Sequence, residues 1–580
     1  MTRFPILPTL LCGALAMVLS GCSSSDPEES SSDDSATQSK EYTIHEIQVE
    51  PATSADILPM ELLQRPQPSA ELKKRSPETR GLAAFAVQQP QQLQQPQQEK
   101  YQELEPRQVK LVRDDPVSTF ALDVDTGGYS NVRRFLNNGQ LPPKDAVRLE
   151  ELINYFNYDF AGSATTSASD DDFAVHFDLS RAPWDAERTL FSIGVKAREL
   201  PMDEVPPVNL VFLIDTSGSM SQANKLPLLQ QAYRLLAKQL RAEDSVSIVT
   251  YAGSAGLVLE PTAGDQKTKI LQAIDRLQAG GSTNGAGGIE LAYAVAQQAF
   301  KKEGVNRILL ATDGDFNVGI SDVETLKQRI ERGRKSGVQF SALGFGMGNY
   351  REEIVEQLTN VGDGSYAYID TIFEANRVLV EQLSGTLFTI AKDAKVQVEF
   401  NPARVVEYRL LGYENRRLNR EDFNNDAKDS GDIGAGHSVV ALYELTLVGD
   451  TPRVDPLRYG DDKDGENVTT AKSNELAMVK VRYKKPGEAD STLKQWPLSP
   501  RVKSFENTQQ DLQFATAVAG FGLLLRSEPL SDFDYEDVVA LAQLARGKDV
   551  SGDRAEFVRL VKTAGALASA QATPVAVQPD

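Results

Sequence analysis

Thiols and imidazoles are scarce in this chain. It has two cysteines, Cys12 and Cys22, and three histidines, His45, His176 and His437, in 580 residues. That inventory excludes a zinc finger, an iron–sulfur cluster and a disulfide scaffold, so any metal would be held by oxygen. Basic excess is also lacking: 61 Lys and Arg against 82 Asp and Glu leave a net charge of -21. A general nucleic-acid binder needs a basic face to displace counterions, and none is expected here. Long apolar runs are missing as well. Ile6 to Leu19 is apolar apart from Pro8 and Thr9, but falls short of the roughly 20 residues that cross a bilayer. What is present is ordinary for globular protein, 41% hydrophobic and 25% charged, enough for a sizeable core.

Arg3 followed by that apolar run has the layout of a secretion signal. The next residues, Leu19-Ser20-Gly21-Cys22, resemble the bacterial lipobox. The resemblance implies a signal peptide over 1–21, loss of Cys12 with it, and acylation of Cys22 as the mature N-terminus. Ser23 in place of Asp after the cysteine then points to the outer membrane rather than the inner, so the expected location is the bacterial cell envelope. Residues 22–107 read as a tether. Ser23 to Ser35 is almost wholly Ser, Asp and Glu, and Gln88 to Gln98 is Gln and Pro with one Leu. Neither stretch can bury enough apolar surface to offset chain entropy. As a flexible coil it would span on the order of 50 Å.

From Val208 apolar strands alternate with amphipathic helices. Val208 to Ile214 is a near-continuous apolar run, as in a strand buried on both faces, and Leu226 to Leu240 repeats apolar residues at helical spacing. Strands at 245–251, 307–312, 338–345 and 366–369 and helices at 268–277, 289–300, 321–334 and 372–387 continue the pattern. Such alternation gives an α/β fold, a doubly wound, mostly parallel sheet, with ligands beyond the carboxyl ends of its strands. Three loops should meet there: Asp215-Thr216-Ser217-Gly218-Ser219, Gly281-Ser282-Thr283-Asn284 and Thr312-Asp313-Gly314. Taken alone, Asp-x-Ser-x-Ser also suits a helix N-cap or a turn.

Those residues resemble the metal-ion-dependent adhesion site of the von Willebrand factor type A family. The resemblance implies Ser217 and Ser219 as direct hydroxyl ligands, Thr283 as a ligand whose engagement varies, and Asp215 and Asp313 acting mainly through water. An all-oxygen site suits Mg²⁺, with Mn²⁺ or Ca²⁺ as alternatives. Neutral ligands leave the ion's charge largely unquenched, and a vacant position could take a Glu or Asp carboxylate from a protein partner. No small-molecule substrate is expected. Phe120-Ala-Leu-Asp-Val-Asp-Thr-Gly-Gly-Tyr-Ser-Asn-Val-Arg-Arg-Phe135, Leu141-Pro-Pro-Lys144, Glu150-Glu-Leu-Ile-Asn-Tyr155 and Gly344-Phe-Gly-Met-Gly-Asn-Tyr350 further resemble bacterial YfbK-type lipoproteins. The implied layout is an N-terminal module at 108–205, a Rossmann-like A domain at 206–390 and a C-terminal module at 391–570.

Both flanks are β-rich, with strand patterns at 173–179, 190–195, 396–400, 405–411, 438–447 and 475–483. We expect them to form one sandwich into which the A domain is inserted, separate small β units being the alternative. Beyond Phe505 the pattern turns helical, and Phe514 to Leu525 is too short for a membrane span.

Enzyme motifs are weak. Val124-Asp125-Thr126-Gly127 would need a second aspartic-protease loop, and Asp429-Ser430-Gly431 is preceded by polar residues. Asp123-x-Asp125 lacks the hydroxyl four residues on that a haloacid dehalogenase loop uses. Neither His176 nor His437 carries a catalytic motif, and Asp461 to Glu466 misses the calcium-loop spacing. The expectation is an adhesion protein rather than an enzyme. A metal-dependent hydrolase using the same ion, or a scaffold with a structural metal, is the alternative.

Overall fold

In the computed structural model, the Val208–Asp215 strand is buried at every position. The description covers residues 101–572, apart from 102, 104–107, 123–124, 161–171, 201–203, 282–284, 315–322, 348–350, 427, 429, 456–473, 489 and 500. The signal, Cys22, most of the tether, Asp123, Thr283, Asp429 and the 461–466 segment lie outside it.

Alternation along Val208–Asp215 splits its side chains between two cores. Leu210, Phe212 and Ile214 join one hydrophobic cluster, and Val211 and Leu213 join another. A strand covered on both faces must read as continuously apolar, which is why this one does. It lies inside a six-stranded sheet ordered 366–369, 339–345, 305–312, 208–215, 245–251 and 255–263. The first five strands are parallel and the last pairs antiparallel with Ser245–Tyr251. Helix Leu226–Gln239 packs Leu229, Ala232, Tyr233 and Leu236 on one face, and helix Gly285–Gln298 packs Ile289, Ala292, Val295 and Ala296 on the other. This is the doubly wound architecture, and it brings the ends of the parallel strands, Asp215 and Thr312 among them, to one edge.

The flanks interleave rather than standing apart. One antiparallel sheet runs in the order 110–111, 405–411, 438–447, 185–197, 173–182. The other runs 431–434, 389–400, 477–484, 492–498, with Val117–Ala121 also paired to Thr389–Phe400. Each sheet therefore draws strands from both sides of the A domain, as in the registers Tyr443↔Phe191 and Val396↔Phe120. Their facing surfaces meet through Phe191, Phe400, Tyr408 and Tyr443, with Phe400 4.6 Å from Tyr408 and 5.3 Å from Tyr443. The chain leaves this sandwich at Ala197 and re-enters at Thr389, so the A domain is an insertion.

The outer face of the first sheet, through Leu190, Leu411, Val440 and Leu442, is covered by helices Gln510–Leu525, Tyr535–Leu544 and Asp553–Ala572. Gln510–Leu525 is buried around nearly its whole circumference, which accounts for its apolar sequence. Among the described residues, no helix is long and apolar enough to cross a membrane.

Buried ion pairs fasten the inserted domain to its surroundings. The Arg133 guanidinium, on helix Gly127–Asn137, donates to Asp370 at 2.7 and 2.5 Å and to Glu374 at 2.7 Å, both at the end of the A domain. It also donates to Tyr155 at 2.9 Å and to Glu556 of the C-terminal helix at 3.0 Å. Burial opposes ionisation of Glu374, but Arg377 and Arg133 hold its carboxyl down at about 2.

Several elements were not foreseen from the pattern, helices Gly127–Asn137 and Leu149–Asn154 among them. Helix Glu352–Val361 buries Glu352, Glu356 and Thr359 along with its apolar residues, which blurs the apolar pattern, and edge strand Ala255–Ala263 leaves Leu257 and Val258 exposed. Val117–Ala121 is short and Thr492–Leu498 buries little besides Leu498; their identity comes from their partners, 389–400 and 477–484.

Candidate metal centre

Asp215 ends its strand fully buried and points into the loop it begins. Its Oδ1 accepts a hydrogen bond from the Ser217 backbone N–H at 2.8 Å, which turns the loop back on itself. Its Oδ2 is buried without a hydrogen-bond partner, and the adjacent Tyr251 hydroxyl is likewise left without a well-aligned one. The Ser217 and Ser219 hydroxyls converge to 3.0 Å. Ser217 precedes a short 3-10 turn, Gly218–Ser221, but its side chain makes no capping bond, so the hydroxyl is not used up as a helix cap.

Backbone bonds stitch the neighbouring loops to this one. Gly218 N–H donates to the Gly281 carbonyl at 3.1 Å, and Gly280 N–H to the Thr216 carbonyl at 2.7 Å. The chain entering residue 283 thus runs beside the Asp-x-Ser-x-Ser loop, while Thr283 itself lies outside the described residues. Asp313, buried after the Val305–Thr312 strand, is the next element over. The structure brings Asp215, Ser217, Ser219 and Asp313 to one edge of the sheet.

Sequence reasoning missed Lys225. Its ammonium donates to Asp313 Oδ2 at 2.8 Å, and both side chains are buried. Lys225 stands at the N-terminus of helix Leu226–Gln239, where a cation opposes the helix dipole. That mismatch was the available signal. Its stem lies over Gly346, at φ 82°, where an added Cβ would sit 2.3 Å from Lys225 Cε. A side chain at 346 would displace the lysine from Asp313.

The donor set fits a hard divalent cation: one buried carboxylate oxygen without a partner, a second carboxylate nearby and two converging hydroxyls. Among the described residues no group of three or more His, Cys, Asp or Glu side chains is arranged to hold a metal ion, so such an ion would depend on the serines. Burial pushes the Asp215 carboxyl up to about 6, with the charge of Asp313 adding to the rise and the Ser217 N–H opposing it. Such a group adds stability below its unfolded value near 4 that is lost as pH rises through 6. Asp215→Asn is therefore expected to stabilise the chain in chelator at pH 8, by on the order of 3 kcal/mol, with the gap closing below pH 4. Thermal unfolding with and without Mg²⁺ checks this: wild type should gain on adding the ion, and the variant should not.

The other sites weighed from sequence are engaged differently. Asp125 is held by Arg416 at 2.9 Å and accepts from the Tyr366 N–H at 3.2 Å, an ion-paired joint between modules. His176 stacks on Phe160 at 4.8 Å. His437 lines a cavity bounded by the A domain and the sandwich.

Three family models match the chain: "von Willebrand factor" over residues 95–192, "von Willebrand factor type A domain" over 210–315, and "Uncharacterized protein YfbK, C-terminal" over 385–567. Asp215, Ser217, Ser219, Thr283 and Asp313 all fall within 210–315. The chain is 47% identical over 469 residues to uncharacterized protein YfbK of Escherichia coli (strain K12), spanning 80% of this chain and 81% of that one. It is 33% identical over 145 residues to the magnesium-chelatase 60 kDa subunit of Rhodobacter capsulatus, 24% of this chain and 25% of that one. Among solved structures, a von Willebrand factor type A protein from Catenulispora acidiphila is 14% identical, covering 70% of this chain and 91% of that one, with a TM-score of 0.38.

Proposed function

From a chain that belongs to the YfbK family of bacterial von Willebrand factor type A proteins, we propose a lipid-anchored envelope protein that grips protein partners through a divalent ion. Domains of this type generally mediate protein–protein interactions. The finer reading is that Ser217, Ser219 and Thr283 ligate Mg²⁺ while Asp215 and Asp313 hold it through water. Mn²⁺ or Ca²⁺ would suit the same oxygens. A Glu or Asp side chain of the partner completes the shell.

The observation that carries this reading is the partnerless, buried Asp215 Oδ2 beside the two serine hydroxyls. The Lys225–Asp313 pair adds a charge argument. With Asp215 ionised, two carboxylates and one ammonium leave the site at about -1. A divalent ion turns that to about +1, so a bound ion attracts an incoming carboxylate instead of being quenched by its own ligands. When bound, the ion supplies an electropositive coordination position. The chain's own residues orient it, and the sheet edge keeps its ligands together.

Attachment through an acylated Cys22, in the outer membrane rather than the inner, belongs to the same proposal. It rests on the Leu19-Ser20-Gly21-Cys22 sequence. Mass analysis of the mature N-terminus tests it, and an unmodified Cys22 contradicts it. The adhesion reading is tested by pull-down from envelope extracts with Mg²⁺ or with chelator, using wild type and Asp215→Ala. Partners retained only by wild type with Mg²⁺ support it. Equal recovery of every protein under all four conditions overturns it.

A further inference from the structure

A lysine buried beside residues suited to a divalent cation works against that cation. Lys225 is 6% exposed, and its Nζ lies 2.8 Å from Asp313 Oδ2. Among the described residues Asp313 is its one side-chain partner. The lysine follows the Gly218–Ser221 turn and stands at the start of helix Leu226–Gln239. Its backbone is fixed there: its N–H donates to the Gln222 carbonyl at 3.0 Å, and its carbonyl accepts from the Leu229 N–H at 2.9 Å. The helix N-terminus adds partial positive charge of the same sign as the ammonium.

The stem lies in a fitted slot. A Cβ on Gly346 would meet Lys225 Cε at 2.3 Å, Cγ at 2.7 Å and Cδ at 2.9 Å, so the lysine crosses a bare Cα along most of its length. The Gly346 carbonyl accepts from the buried Tyr368 hydroxyl, and Arg134 of helix Gly127–Asn137 lies 5.6 Å from the Tyr368 ring centroid. Asn138 Nδ2 donates to Met347 Sδ at 3.4 Å on the same loop. The N-terminal module thus helps to shape the slot. A lysine without a task here would run its stem to the surface and keep its ammonium in water. This one is held, at a cost in rotamer entropy, on an oxygen of a candidate metal-binding carboxylate.

Resting on the metal-site reading above, we propose that Lys225 stands in for the ion when none is bound, and that its charge keeps a bound ion exchangeable. The ammonium compensates Asp313, which would otherwise be a buried carboxylate lacking its cation. The fold therefore does not depend on the metal. An arriving divalent ion must bind against the ammonium's repulsion or drive it off Asp313, and either way its affinity is lowered. A site built like this takes up and releases its ion with supply, rather than keeping it as a structural staple. A lysine that only holds Asp313 in place gives the opposite expectation, since its loss would loosen a ligand and weaken the ion.

The test is Mn²⁺ titration of the purified full chain at pH 8, with free ion followed by electron paramagnetic resonance. Wild type is compared with Lys225→Met, which keeps a stem over Gly346 and removes the charge. The variant should bind Mn²⁺ about tenfold or more tighter. In chelator it should unfold at a lower temperature than wild type. A fixed Mg²⁺ concentration should raise its midpoint by more, as linkage requires of a tighter site. Should it fail to fold, Gly346→Ala gives a second measure: its Cβ displaces the lysine, and binding should tighten several-fold. Unchanged or weaker binding in Lys225→Met, or in Gly346→Ala where the first does not fold, overturns the proposal and leaves the metal reading standing. Tightening that persists when Asp215→Ala is added also overturns it, because the ion would then sit elsewhere. Absence of specific Mn²⁺ binding in wild type and variants alike contradicts the metal reading, and the proposal with it.

Discussion

Arg133→Ala is expected to lower the unfolding free energy by about 3–5 kcal/mol, the scale for breaking a buried ion network from one side. The loss strands Asp370 and halves the cationic support of Glu374, which keeps Arg377 and the Tyr155 hydroxyl. Burial already pushes the Asp370 carboxyl up against the pull of Arg133. Without the guanidinium it must take a proton or accept water. Because the same side chain joins helix Gly127–Asn137, the A domain and the C-terminal helix, urea unfolding followed by two probes should no longer coincide. Replacing the pair by Arg133→Met with Asp370→Asn should recover much of the loss, since Glu374 keeps Arg377 and no buried charge is left unpaired. A cost below about 1 kcal/mol for Arg133→Ala would mean that the network is solvated and the modules are held by apolar packing alone.

The second large effect is a pH slope set by Asp432. Burial pushes its carboxyl up to about 8; the charges of Asp363 and Asp393 add to the rise, and Lys392 opposes it. Its Oδ1 accepts from the Asp393 N–H at 3.2 Å, while Oδ2 has no partner. The folded state keeps its proton where the unfolded state has lost it. The contribution to stability is therefore full below pH 4 and disappears as pH rises through 8. Asp432→Asn removes that slope. In chelator it should match wild type near pH 4 and exceed it by on the order of 3–5 kcal/mol above pH 8. Denaturant midpoints from pH 4 to 9 measure the difference, and parallel curves would contradict the assignment.

How legible the molecule was depends on how local each signal is. The A-domain strands read clearly because burial on both faces demands continuous apolar runs; Ser245–Tyr251 has the bounds expected of it. The sandwich strands with strict alternation, such as Ala477–Lys484, were legible because burial on one face alone demands a period of two. Val117–Ala121 was not, because five residues carry little periodicity and its place is set by a partner almost 280 residues away. At the site, the Asp-x-Ser-x-Ser loop and Asp313 announce themselves as chemistry at strand ends. Lys225 does not: it lies 88 positions from Asp313, and only the fold and the bare Cα of Gly346 let it reach. The unpartnered Asp432 Oδ2 was invisible for a related reason. A missing partner is a property of packing, and no sequence pattern records it.

The central claim is that Asp215, Ser217, Ser219, Thr283 and Asp313 hold one divalent ion. Titrating the purified chain with Mn²⁺, with free ion followed by electron paramagnetic resonance, measures it most directly. The account predicts one site per chain, displaced by Mg²⁺, lost in Asp215→Ala and strongly weakened when Ser217 and Ser219 are both replaced by Ala. An Mn²⁺ isotherm that is the same in wild type and in both variants would contradict it.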